Sequence, residues 1–264
     1  MVRWNPAKGN RKAGTKPRSK TWRSNKMVIP RRLWIDRNGV EQAYYEDMRG
    51  SAKAEHDIHG HKVTSLFQKP RKGFSYGCTP EDVAAIFRML PADDVLFIDI
   101  VAFRQPTRKQ LLQSVWGRLI FHAEFEGVSG PCIMLEATKI GACARWGRRQ
   151  RVDGTEELKR LREDGHELVE DRRGWTVVTT EESIRNTLLY RTLLHELGHA
   201  ADYIDYDADP GGFADGWDAY WARPLRERED AAHRYASKIS AELRHRGLIP
   251  FAKIDDASAA RGTA

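Results

Sequence analysis

Hydrophobic positions divide the chain into three regimes. Up to about residue 73 the apolar residues are scattered, without a repeat at two or at three to four, and turn signals fall at Arg37-Asn38-Gly39 and Gly60. From Gly77 the pattern sharpens. Thr79, Pro80 and Glu81 supply an N-cap, a first helical position and an acidic first turn, which predicts a helix through Leu90 that Pro91 ends. The run DVLFIDIVAF (94–103) is short and rich in β-formers, as a central strand would be, and a short helix is expected over 108–115. RLIFHAEFEG and PCIMLEAT flank Gly127-Val128-Ser129-Gly130 and predict a hairpin over 117–138, hence an antiparallel sheet.

The last third is helical in its spacing. After a charged stretch (144–174) that reads as a surface insertion with a short helix ending at Gly165, WTVVTT (175–180) reads as one more strand. Thr179 and Glu182 have capping-box spacing and open a helix from Glu181 to about Ile204. A final helix is expected over 224–246, stopped by Gly247 with Pro250 beyond. On it Leu225, Glu229, Ala232, Ala236, Ile239 and Leu243 form one stripe at steps of three and four, and Glu229 is its only charge. The elements together predict an α+β domain with a small mixed or antiparallel sheet over 75–247, preceded by a tail (1–34) and a polar arm (35–74) and followed by a second tail (248–264).

Composition adds limits to this outline. The 264 residues are 41% hydrophobic, enough for a real core, and no stretch approaches the roughly 20 apolar residues that span a bilayer. No secretory apolar segment opens the chain, so the expectation is a cytoplasmic protein without a membrane partner. Cys78, Cys132 and Cys143 are odd in number and lack CxxC spacing, which predicts reduced thiols rather than a disulfide framework or a zinc knuckle. The net charge of +7 is uneven: eleven Lys or Arg residues, Arg3 to Arg32, precede the first acidic residue, Asp36. Such an opening reads either as a solvated tail or as a tether to nucleic acid, with Trp4 and Trp22 as stacking rings; no defined nucleic-acid motif accompanies it.

The chemistry concentrates in TLLHELGHAADY (192–203). On a helix His195 and His199 share one face about 6 Å apart along the axis, so two imidazole nitrogens can aim at one ion. Glu196 sits about 100° round from His195 and can reach a water on that ion rather than the ion itself, the position of a general base. Buried among leucines and alanines, unpaired imidazoles would be costly, and a zinc ion is the natural partner. Two carboxylates compete for the third ligand. Glu229 lies on the buried stripe of the last helix, next to alanines that allow close approach. Asp205 lies six residues past His199, where some HExxH peptidases place theirs; no Met follows Met134 to form the turn those enzymes keep beneath the metal, which favours Glu229. His233 borders the stripe as a weaker ligand candidate, Glu227 reads as a surface residue, and Asp202 as a residue that orients a ligand histidine.

HELGH, followed by Glu229-Ala232-Tyr235-Ala236 in an ExxAxxYA arrangement, resembles the gluzincin branch of zinc metallopeptidases over about a quarter of the chain. The resemblance implies a zincin-like fold, Zn2+ held by His195, His199 and Glu229, Glu196 as general base, a protein or peptide substrate, and an edge strand near the active-site helix, which the 117–138 hairpin could supply. The chain departs from the family at His233, where many members carry Asp, and no motif assigns the transition-state donor among His233, Tyr235 and Tyr220. The expected function is hydrolysis of peptide bonds by a zinc-activated water. The alternative is a nucleic-acid-associated, virion or toxin-type protein whose zincin domain is narrow in specificity or non-catalytic. The acidic loop 205–218 could bind calcium but lacks EF-hand spacing, and Trp217, Tyr220 and Trp221 read as core or rim.

Overall fold

The computed structural model describes residues 33–35, 41–43, 48, 50–106, 116–125, 127–148, 152–207 and 219–254. The chain divides into two units, the first ending at Asp47. In the first, β1 (Leu33–Ile35) and β2 (Glu41–Ala43) pair antiparallel, with Leu33 opposite Ala43; the turn expected at Arg37-Asn38-Gly39 lies outside the described residues. The basic tail, the helix expected over 108–115 and most of the acidic loop lie outside the described residues.

The second unit is mixed α+β. Its main sheet has the order β3-β4-β6-β8-β7, from β3 (Ala52–Ile58), β4 (His61–Phe67), β6 (Ile100–Arg104), β7 (Gly117–Phe125) and β8 (Val128–Glu136). The outer pairs are antiparallel, but β4, β6 and β8 run parallel. Of the expected mixed or antiparallel sheet, the structure has the mixed form, and the antiparallel hairpin over 117–138 is its β7-β8 edge. Parallel neighbours need a crossover, and α1 (Pro80–Met89) with α2 (Ala92–Val95) supplies it between β4 and β6.

Two domain limits also move. Residues 52–67, expected in the polar arm, form two strands of this sheet. Their hairpin turns through His59 and Gly60, both at positive φ as a two-residue turn requires. The pattern hid them because β3 is an edge strand whose side chains are mostly exposed or half-exposed. At the other end Ile249 is buried, and Ile254 donates its backbone N–H to Asp82, so 248–254 are tied to the domain, while 255–264 of the expected tail lie outside the described residues.

The stretch 94–103 is not one strand. Asp93 and Asp94 follow Pro91 in the first turn of α2, where carboxylates suit the helix N-terminus, and only Ile100–Arg104 pair in the sheet, all five buried. The insertion builds a sheet of its own, β10-β12-β11, from β10 (Gly141–Gly147), β11 (Glu167–Asp171) and β12 (Gly174–Thr179); Leu158 and Leu161 of α3 (Val152–Glu163) pack on Val177. Two-residue strands β5 (Phe74–Ser75) and β9 (Thr138–Lys139) pair near it.

One long helical rod crosses the core: α4 (Glu181–Thr187), a π-helical turn (Leu188–Thr192) and α5 (Leu193–Asp207). It is capped by Thr180 with Ser183, one residue later than the expected Thr179 and Glu182, because Thr179 ends β12 and donates its hydroxyl to the Lys139 carbonyl. The last helix, α6 (Leu225–His245), matches the expected stripe: Ala232, Ala236, Ile239 and Leu243 are buried, whereas Leu225 is exposed. No helix among the described residues is long and apolar enough to cross a membrane. The cysteines are free thiols, Cys78 and Cys132 buried.

Candidate metal centre

The site forms where α5 meets α6. The π turn ends at Thr192, directly before the HExxH segment. By taking one extra residue it keeps Leu188 and Leu193, five apart, both fully buried, and Leu194 and Leu197 follow them into the core. That orientation leaves His195 and His199 half-buried on the side facing α6, with ring centroids 4.7 Å apart.

Close helix approach brings the carboxylate. A Cβ built on Gly198 would lie 2.8 Å from the Ala232 carbonyl oxygen and 2.9 Å from its Cα, so only glycine fits between the helices. Across this contact the Glu229 carboxylate reaches both histidines, Oε2 at 3.3 Å from His195 Nε2 and Oε1 at 3.7 Å from His199 Nε2. Four donors about 2.0–2.1 Å from one zinc stand about 3.3 Å apart along tetrahedral edges; the His195 contact matches that edge, whereas His199 meets the other carboxylate oxygen and stands outside the group of described residues, His195, Glu229 and His233, whose ligand atoms lie within 4.8 Å of one another. The His195 bond holds the Glu229 carboxyl below the usual carboxylate range. Gly198→Ala is therefore expected to push α6 outward, lower stability by about 1–3 kcal/mol and weaken zinc binding at least tenfold. Titration calorimetry with denaturant melts checks this, and unchanged affinity would contradict it.

Glu196 points elsewhere. It is buried, and its Oε2 accepts the backbone N–H of Leu119 at 2.7 Å, which turns the outward edge of β7 toward the carboxylate. Burial pushes its carboxyl up to about 6, against the opposing effects of His195, the Leu119 N–H and Arg118. Arg118 was not foreseen. It donates to Glu136 (2.8 Å), which Arg104 also contacts (3.2 Å), and so sets a buried charge cluster beside the general-base candidate.

The other candidates separate. Asp205 stays in α5, six residues past His199, which carries it about 9 Å along the axis and about 120° round; it is exposed. Asp202 accepts from Arg223 (2.9 Å) and lies close enough to His199 to act on its charge, and Glu227 is exposed. Tyr235 donates to Asp94 (2.8 Å), and buried Tyr220 donates to the His199 carbonyl (3.5 Å), so both hydroxyls are engaged. Trp221 is a partly exposed rim residue against Phe121. His233, the weaker candidate in the sequence, sits in the cluster: its ring lies 4.4 Å from that of His195, and one ligand atom each from His195, Glu229 and His233 fall within 4.8 Å of one another.

No protein-family model, curated protein or solved structure matches the chain.

Three histidines acquire a pH signature. His199 and His233 are pushed down to about 4, by burial first and the adjacent His195 second. Buried His166, whose Nε2 lies 2.7 Å from the Thr187 hydroxyl, falls to about 4 through burial and then Arg191. The Thr187 hydroxyl donates to Asp164, so His166 donates to it through Nε2. Without metal, the unfolded chain takes up these protons near pH 6.5 and the folded one only near 4, so stability falls as pH drops through that window. Glu196 opposes this between 4.5 and about 6, as a single group against three. Denaturant midpoints of chelator-treated protein are expected to be lower at pH 4.5 than at pH 7; an equal or higher midpoint would contradict the burial of these rings.

Proposed function

We propose that the chain is a zinc metallopeptidase of the gluzincin type, with His195, His199 and Glu229 as metal ligands and Glu196 as general base. The observation that carries this reading is the Glu229 carboxylate, which reaches both HExxH histidines, His195 through Oε2 and His199 through Oε1. The donor set, two imidazoles and a carboxylate, is the chemistry zinc accepts. When bound there, zinc supplies Lewis-acid polarisation and acidifies a water.

The chain's own residues account for the rest. Glu196 takes the proton of the attacking water and delivers it to the leaving amine, and the raised carboxyl, about 6, suits both steps near neutral pH. The Leu119 N–H holds the Glu196 carboxylate in place. β7 is an edge strand, so an extended peptide can pair with its free side and run its backbone past Glu196. A zincin-like arrangement is supported by this set: a mixed sheet, an antiparallel edge strand against the HExxH helix, and a second helix that brings the glutamate.

The test is metal removal. Purified full chain should cleave members of a broad peptide library, lose that cleavage on chelation and regain it with one equivalent of zinc. Cleavage that persists in the chelated, metal-free protein would contradict the proposal.

A further inference from the structure

We propose that His233 is a fourth protein ligand of the metal, so that the resting centre is a three-histidine, one-glutamate box rather than an open three-ligand site. The inference rests on the metallopeptidase reading and deepens it. Its basis is geometric. α5 carries His195 and His199 at i and i+4, and α6 carries Glu229 and His233 at i and i+4, so each helix presents two donors on one face. Gly198 and Ala232 bring those faces together without an intervening side chain.

Three atoms no more than 4.8 Å apart share a point no farther than 4.8 Å divided by √3, about 2.8 Å, from each of them, so a small rotation of the rings brings His195, Glu229 and His233 to bonding distance of one ion. The tilted contact of the His195 and His233 rings, at 41° and 4.4 Å, needs a reason, since two half-buried imidazoles side by side gain little from each other. A shared ion supplies it. His195 Nδ1 is buried and has no hydrogen-bond partner among the described residues, so no acceptor there fixes the orientation of this ring.

The chemical consequence is a latent centre. With His233 bound as well, a four-coordinate ion would have no corner left for water, and hydrolysis would require the His233 ring to swing out. His233 is half-buried and the neighbouring Glu229 side chain is 42% exposed, so the ring has solvent to move into.

X-ray absorption at the zinc edge of the zinc-loaded full chain counts the imidazoles directly. Three are expected in the wild type and two in both His233→Ala and His233→Phe, with an oxygen scatterer in place of the third. Cobalt-substituted His233→Ala should gain a pH-dependent visible spectrum that the wild type lacks. Two imidazoles in the wild type, with zinc bound at one equivalent, would overturn the role of His233 and leave the peptidase reading intact. Failure of the wild type to bind zinc in a direct titration would overturn both. The wild-type count decides the matter even if neither variant folds.

Discussion

Glu196→Gln is expected to bind zinc as tightly as the wild type and to hydrolyse peptides about 10²- to 10⁴-fold more slowly, the usual contribution of a positioned general base. The substitution keeps the side-chain volume, and its amide oxygen can still accept the Leu119 N–H, so the edge of β7 and the helix beneath it should stay in place. What it removes is the basic lone pair. Because the loss falls on the chemical step, kcat should drop while KM changes little. The pH profile adds a check: in the wild type, activity should fall on acidification as the carboxyl near 6 protonates, and the residual activity of the variant should lose that limb. Equal activity in variant and wild type, on the same peptides and with the same zinc content, would remove Glu196 from the mechanism.

Asp82→Ala is expected to destabilise the domain by about 3–5 kcal/mol, the range for stripping one partner from a buried ion pair. Asp82 is fully buried and binds Arg185 through both oxygens, at 2.6 and 3.1 Å. It also accepts the backbone N–H groups of Thr79 and Ile254. Arg185 in turn donates to the carbonyls of Gly77 and Phe251. One carboxylate therefore ties together the start of α1, the helical rod that runs into the HExxH segment, and the irregular segment at 251–254. Removing it strands a buried guanidinium. Chemical denaturation measures the loss, and Asp82→Ala combined with Arg185→Met should recover part of it, since the uncompensated charge is gone. A single-variant cost under about 1 kcal/mol would mean that solvent reaches the pair more freely than its burial implies.

How much of this was legible in the sequence depended on how each residue does its work. His195, Glu196, His199 and Glu229 could be singled out because spacing on a helix fixes which side chains share a face, and a lone charge on an apolar stripe stands out. The cap at Thr79 and the end of α1 at Pro91 were legible for the same local reason. Strands β3 and β4 were not, since β3 is a mostly exposed edge and β4 buries four consecutive residues, two of them Thr64 and Ser65, so neither carries an apolar alternation to read. The parallel core of the sheet was hidden because strand direction depends on crossovers, which no local pattern encodes. Arg118 and the Leu119 N–H act through tertiary contact, and a backbone donor has no signature at all. Gly198 left a faint trace inside HELGH, but its purpose shows only against the Ala232 backbone. His233 was visible as a neighbour of the stripe; its approach to His195 needed the crossing of two helices.

The central claim, that α5 and α6 jointly hold one zinc ion, is tested most directly by anomalous diffraction at the zinc edge from crystals of the full chain grown with one equivalent of zinc. A single strong peak bounded by His195, His199 and Glu229 is expected, and it should be lost in Glu229→Ala. A peak elsewhere, or none at that point, would contradict it.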